Sequence, residues 1–275
     1  MQNNPRVSVV MPVYNAELYI SEAIESILSQ TLKDFEFIII DDASTDDSSK
    51  IIKRYSKIDS RIRCYRNSQN LNIGASLNKG FKLACTEYIA RMDADDVAFS
   101  DRLAKQYKLM KSNPDIAVVG GDIIVIDENG NEEYTRKYPT NSNVMKKIIF
   151  RYLPFAHPAT MIRKSMFDEV GGYNPTKSPS EDMDLWIKLG SKYDFGSVES
   201  PVLKYRMFQK SSSNSKLRKV ELNTIKMRIE AVKKYNYKPG IIDVLYNVFQ
   251  FVSIFLIPVK YKIDLFNYLR RKNFI

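Results

Sequence analysis

An apolar run, VSVVMPVYN at residues 7–15, is stopped by Pro12 and followed by Ile20, Ile24, Ile27 and Leu28 at helical spacing as far as Thr31. A continuous apolar run that gives way to a 3.6-residue period predicts strand, loop, helix. FEFIIIDD at residues 35–42 is a continuous run rich in β-branched isoleucine, as a strand buried on both faces requires. STDDSSKIIKRY then opens a second helix, with Ser, Thr and Asp as cap candidates. Residues 61–66 read as a short strand, and Leu77, Phe81 and Ala84 line one face of a helix over residues 74–84. YIARMDADD at residues 88–96 is a strand ending in acids, a helix starts near Asp101, and residues 118–125 are one more strand before the turn DENGN. Strands alternating with helices predict an α/β fold with a doubly wound, mostly parallel sheet flanked by helices. Its ligand crevice should lie outside the carboxyl ends of the strands.

After about Asn141 the alternation weakens, because Pro154, Pro158, Gly171, Gly172, Pro175 and Pro179 break the chain into loops around short elements. We read residues 1–210 as one domain with halves 1–125 and 126–210, and residues 211–275 as a basic, helical extension. Within that extension residues 241–259 are apolar except for Asp243, Asn247, Gln250 and Ser253, which recur at three- and four-residue steps. These polar residues suit the centre of a membrane span poorly, so residues 241–259 are expected to form an amphipathic helix lying in a membrane surface. Burial against the domain or against a second subunit, as in a homodimer, is the alternative. No internal repeat is present.

Composition narrows the chemistry. The lone histidine, His157, removes zinc sites of the HExxH type, so any metal must be held by carboxylates, which favours magnesium or manganese. Cys64 and Cys85 follow no pattern, and MQNNPRVSVV carries no apolar leader, so a cytoplasmic chain with free thiols is expected. The net charge of +10 gathers at residues 50–66, at residues 204–234 and in the tail Arg270, Arg271, Lys272. Nucleic acid, anionic lipid and phosphorylated substrates each answer to such charge.

Acids stand at the strand ends: Asp41 and Asp42 after one, Asp93, Asp95 and Asp96 after another. Like charges gathered at the ligand edge repel unless a cation is bound. A divalent metal held by one or two carboxylates keeps positions open for the oxygens of a diphosphate. Asp46 and Asp47, by contrast, read as a helix N-cap or a loop turn. If the segment from Asp93 to Asp95 stays extended, both side chains share one face.

VSVVMPVYN, IIIDDASTDDS, NIGASLNKG, EYIARMDADD, GGYN and SPSEDMDLW, in this order and spacing, resemble the family 2 glycosyltransferases of bacterial surface polysaccharide, O-antigen and capsule biosynthesis, from about Val7 to Arg206. The resemblance implies a GT-A fold and inverting transfer from a nucleoside-diphosphate sugar, with UDP preferred. The acceptor it implies is a saccharide or a polyprenyl-diphosphate-linked saccharide. Residues 1–125 then form the nucleotide-sugar half and 126–210 the acceptor half. Pro12 and Tyr14 would lie against the base and Asp42 on its polar edge. Gly74, Ala75 and Asn78 would face the nucleotide, Asp93 the ribose and Asp95 a manganese or magnesium ion. Asp182 would be the catalytic base. His157, Arg163, Glu181, Trp186 and Arg206 fall in the donor and acceptor neighbourhood, Arg163 pairing with a phosphate or an acid such as Glu181. Tyr205 and Arg206 resemble a closing segment that is a mobile loop over the nucleotide. A metal-coordinating histidine of some relatives is absent from that segment. The basic tail and apolar helix imply a peripheral enzyme on the cytoplasmic face of the inner membrane.

Three other readings compete. A sugar-1-phosphate nucleotidyltransferase needs a glycine-rich, basic loop after its first strand, where this chain has PVYNAELY. A glycoside hydrolase needs no metal cluster beside its paired carboxylates. A non-enzymatic basic module lacks any nucleic-acid-binding signature here, which leaves a membrane surface as its partner.

Overall fold

The computed structural model describes residues 4–208 and 217–262, with 265 and 268. The serine-rich stretch after Arg206 and the basic tail Arg270, Arg271, Lys272 lie outside the described residues, apart from Met207 and Phe208. Elements follow in the order β1 (Val7–Val13), α1 (Ile20–Leu28), β2 (Phe35–Asp41), α2 (Ser48–Ile58), β3 (Ile62–Arg66), α3 (Ile73–Leu83), β4 (Tyr88–Arg91), β5 (Val97–Ala98), α4 (Arg102–Ser112) and β6 (Ile116–Ile126). β7 (Glu132–Arg136), α5 (Ser142–Ile148), β8 (Met161–Arg163), α6 (Lys164–Glu169), α7 (Glu181–Gly190), β9 (Asp194–Arg206), α8 (Leu217–Tyr235) and α9 (Ile241–Leu256) complete them.

One sheet runs β3-β2-β1-β4-β8-β6-β9-β5, with β7 beside β6. β3, β2, β1 and β4 are mutually parallel, as are β6 and β9, whereas β8 is antiparallel to both β4 and β6. The sheet is therefore mixed and mostly parallel. β8 comes late in the chain yet sits between β4 and β6, so both halves of the sequence share one sheet.

Strand alternation sorts the core into two layers. Val9, Met11, Phe37 and Ile39 pack with Ile24 and Ile27 of α1 and Leu103 of α4 on one face. Val10, Ile38 and Ile40 pack on the other with Leu77 and Phe81 of α3, Leu185 and Trp186 of α7 and Met227 of α8. Burial on both faces is the reason β1 and β2 carry no alternation of polar residues. α3 lies so close to β1 that a Cβ on Gly80 would stand 2.3 Å from Val10 Cγ1. Pro12 fits inside β1 because pairing with β4 ends at Val10 and Arg91, so its missing N–H faces no ladder partner.

Two expectations fail here. Tyr205 and Arg206 belong to β9, paired with Val125 and Ile126 of β6, rather than to a loop. Gly196 and Pro201 disguise that strand in the sequence, and register shifts at Gly121/Asp122 and Asp122/Ile123 absorb the irregularity. The segment from Asp93 to Asp95 is also not extended: β4 ends at Arg91 and the acids sit in a turn. Cys64 and Cys85 are free thiols.

Candidate active site

β1, β2 and β4 are parallel, so their carboxyl ends deliver Tyr14, Asp41, Asp42 and Asp93 to one edge of the sheet. The connecting loops there are held in costly backbone conformations. Asn15 (φ 51°) follows β1, Ala43 (φ 63°) follows β2, and Asn72 (φ 70°) precedes α3. Left-handed non-glycine residues persist only where the surroundings over-determine them, which is common at ligand sites. Asn15 Oδ1 accepts from Thr45 N at 2.8 Å, tying the first two loops together. Asp46, one residue ahead of the N-cap, accepts from Ser48 N at 3.0 Å in the turn that leads into α2, while the N-cap residue Asp47 makes no side-chain cap bond.

Pro12 is buried, while Tyr14 is half exposed at the edge. Asp42 is buried, and its Oδ1 accepts from Asn67 Nδ2 at 2.7 Å and Leu71 N at 2.9 Å. Gly74 lies at the start of α3 with Ala75 beside it, and a Cβ on Gly74 would come 3.5 Å from Glu181 Cγ. The helix that begins the donor side thus abuts the helix that carries Asp182.

The acid turn is built on Arg91. Met92 N donates to Val10 O at 3.1 Å, closing the β4 ladder, and Asp93, Asp95 and Asp96 then place carboxylate oxygens within 4.8 Å of one another. Arg91 is 2% exposed and pairs with Asp93 at 2.6 Å. Burial works against the charge of Arg91, but Asp93 and Tyr173 outweigh it and raise its pKa. Burial and then the charge of Asp93 push Asp95 up to about 7, and burial and then Asp95 push Asp96 well above the usual carboxylate range. Asp96 Oδ1 accepts from Arg206 N at 2.8 Å, whereas its buried Oδ2 has no hydrogen-bond partner among the described residues. An all-oxygen donor set with an orphaned carboxylate oxygen fits a hard divalent cation.

Asp182 lies in the first turn of α7, where its charge meets the positive end of the helix. It is partly buried, and its Oδ1 accepts from Met183 N at 2.8 Å. Burial first, and then Glu181, push it up to about 6, and Arg91 pulls the other way. Glu181 is buried, with Oε2 unpartnered among the described residues. Arg91 is therefore in electrostatic reach of both the acid turn and Asp182.

The remaining residues are brought near but take other positions than expected. Asn78 does not spend its amide on an open cleft: Nδ2 donates to Tyr173 O at 2.8 Å, and Oδ1 accepts from Tyr173 N at 3.1 Å. It clamps the GGYN segment. His157 Nε2 meets Tyr173 Oη at 2.8 Å, and burial followed by the Arg91 charge holds its imidazole well below the ordinary pKa, hence neutral. Arg163 pairs with no acid among the described residues. It donates to the carbonyls of Met110, Asn113 and Ile116, satisfying the end of α4, because β8 inserts it there. Arg206 is buried, donating Nε to Asp95 O at 2.8 Å and Nη2 to Glu22 at 2.7 Å, so it braces the acid turn from behind. Trp186 is fully buried, edge-on to Phe155 at 5.4 Å and His157 at 5.8 Å. Trp186→Phe is accordingly expected to lower unfolding free energy by about 1–3 kcal/mol while nucleotide affinity in a titration stays unchanged. A selective loss of nucleotide affinity would overturn its assignment to the core.

Sequence reading missed Arg91 and Tyr173. A signal for Arg91 existed: a cation inside the apolar run YIAR demands a buried counter-charge.

The profile of glycosyl transferase family 2 matches residues 8–171. An uncharacterized glycosyltransferase of Methanocaldococcus jannaschii is 39% identical over 226 residues, covering 80% of this chain and 77% of its own. The O-antigen biosynthesis glycosyltransferase WbnJ of Escherichia coli is 35% identical over 239 residues, covering 83% and 89%. Among solved structures, Staphylococcus aureus TarS 1-349 in complex with UDP-GlcNAc superposes with a TM-score of 0.68 at 19% identity, over 85% of this chain and 68% of that one. The mannosyltransferase PcManGT of Pyrobaculum calidifontis, in complex with GDP-Man and Mn2+, gives 0.66 at 16% identity, over 91% and 70%. With a GT-A-like sheet, acids at its carboxyl edge and more than half of its length matched by the family profile, the chain belongs to glycosyl transferase family 2 and is a nucleotide-sugar glycosyltransferase.

Proposed function

We propose that the enzyme moves a hexosyl unit from a UDP-sugar, with inversion, to a hydroxyl of a saccharide or polyprenyl-diphosphate-linked saccharide at the cytoplasmic face of a bacterial inner membrane. In this reading residues 1–125 take the donor, 126–210 shape the acceptor side and 211–275 serve attachment. What supports it is that the acid turn stands at the carboxyl edge of the sheet, with Asp93 paired to buried Arg91 at 2.6 Å, and that the charge of Arg91 also acts on Asp182. Base and donor acids then belong to a single electrostatic site.

Pro12 and Tyr14 flank the base and Asp42 takes its polar edge. Gly74 and Ala75 let the chain approach closely where α3 meets α7. Asn78 acts by holding the segment that carries Tyr173. Asp93 holds the ribose, and Asp95, aided by Asp96, holds manganese or magnesium. The metal supplies Lewis-acid stabilisation of the departing diphosphate. Asp182 takes the proton of the attacking acceptor hydroxyl, on the face opposite the leaving group, so an α-linked donor gives a β product with no covalent intermediate. UDP as the nucleotide is supported by TarS, which binds UDP-GlcNAc, and a metal by PcManGT, which binds GDP-Man with Mn2+.

A thermal-shift panel of nucleotide sugars with and without manganese tests the donor. UDP-sugars are expected to raise the Tm only with metal, and ligand at about a hundred times its Kd adds about 2.7 kcal/mol. Asp95→Ala should abolish the metal-dependent part. Because bound metal needs ionised carboxylates and Asp95 is pushed up to about 7, the shift should grow as pH rises through 7. An equal shift from GDP- and UDP-sugars, or one indifferent to Asp95→Ala, overturns the assignment.

A further inference from the structure

α9 is built inside out. At 100° per residue its ten exposed apolar residues, from Ile241 to Leu256, occupy one uninterrupted half of the helix circumference. The other half carries Asp243, Tyr246, Asn247, Gln250, Ser253 and Ile254. That polar half faces the protein. Asp243 pairs with Arg151 at 2.8 Å, and Asn247 Nδ2 donates to Phe150 O at 2.8 Å. Arg228 of α8 is buried, donating Nη1 to Asn247 Oδ1 at 3.0 Å and Gln250 Oε1 at 2.8 Å, and Nε to Ile149 O at 2.9 Å. A helix that served only to complete the core would turn its apolar half inward.

We infer that the outward half of α9 is a docking surface that seats the protein on an anionic lipid leaflet, apolar face in the headgroup boundary. The inference deepens and rests on the membrane-face placement proposed above, and needs nothing from the donor chemistry. Three observations select lipid over a second copy of the chain. The apolar arc spans half the helix, whereas a partner helix covers only a narrow seam. The face bears no charge, since the one acid of α9, Asp243, is turned inward. Exposed lysines stand at both ends, Lys233, Lys234 and Lys238 before the helix and Lys260 after it. A twofold contact would set these lysines against their own copies, while an anionic surface complements them. At about 1.5 Å per residue α9 is shorter than a bilayer core, and none of the described helices is long and apolar enough to cross a membrane.

The test uses the full chain in flotation with vesicles of phosphatidylcholine alone or in equal parts with phosphatidylglycerol, alongside sedimentation velocity without lipid. The expected result is at least about tenfold tighter binding to the anionic vesicles, lost about tenfold or more in Leu245→Glu/Phe249→Glu. Both side chains are well exposed, so an unchanged Tm is expected for the variant. Undiminished flotation of the variant overturns the inference. So does a lipid-free dimer dissociated by the same substitutions with no vesicle binding. Transfer to a soluble acceptor, measured on the same samples, separates the two readings: its absence with flotation intact sinks the catalytic proposal alone.

Discussion

Asp182→Asn is expected to lower kcat by about 10²–10⁴-fold, the range for removing a positioned base, with nucleotide affinity unchanged. Asparagine keeps the shape at the first turn of α7 and the acceptor oxygen for Met183 N, so the fold should survive. Only proton acceptance is removed. Wild-type kcat/KM should rise with pH through about 6, where Asp182 loses its proton, and level off above. The sign for stability is opposite. Between about pH 4 and 6 the folded protein holds a proton on Asp182 that the unfolded chain has released, so this group's contribution falls as pH rises across that window. Transfer by Asp182→Asn at the wild-type rate would remove Asp182 from the chemistry.

Arg91→Met should destabilise the protein by about 3–5 kcal/mol in urea unfolding at pH 8, as breaking a buried charge pair typically does. The pair with Asp93 at 2.6 Å would leave that acid facing Asp95 and Asp96 with its counter-ion gone. Arg102 is also buried nearby, but its guanidinium is committed to Arg91 O, Thr160 O and Gln106, and burial holds it down to about 9. It is poorly placed to substitute. The deficit should shrink as pH falls through about 7, because Asp95 then takes up a proton and repels Asp93 less. A variant within about 0.5 kcal/mol of wild type at both pH values would show that the acids are balanced in another way.

Much of the donor side was legible from local pattern. The runs at residues 7–15 and 35–42 are apolar enough to demand burial on both faces, and a parallel sheet follows from the helices between them. Acids placed just beyond such strands can only emerge at the carboxyl edge. The roles of the acceptor side were legible only through resemblance, because β8 is only three residues long, β9 is interrupted by Gly196, Ser197, Ser200 and Pro201, and both find their places by pairing across the chain. In one dimension Arg163 reads as a partner for a phosphate or an acid, and Arg206 as part of a closing segment. In three dimensions their guanidinium groups satisfy backbone carbonyls at element ends, Arg206 also meeting Glu22.

What the sequence by itself determined is therefore the alternation of elements, the acids at the strand ends and the two-sided character of residues 241–256. Periodicity and local propensity encode these without reference to distant residues. Only the tertiary structure decided that buried Arg91 pairs with the acid turn, that Trp186 fills the core, and that the polar stripe of α9 turns inward. A period marks which residues share a face; what covers that face depends on groups far away in the chain, here Arg228 and Arg151.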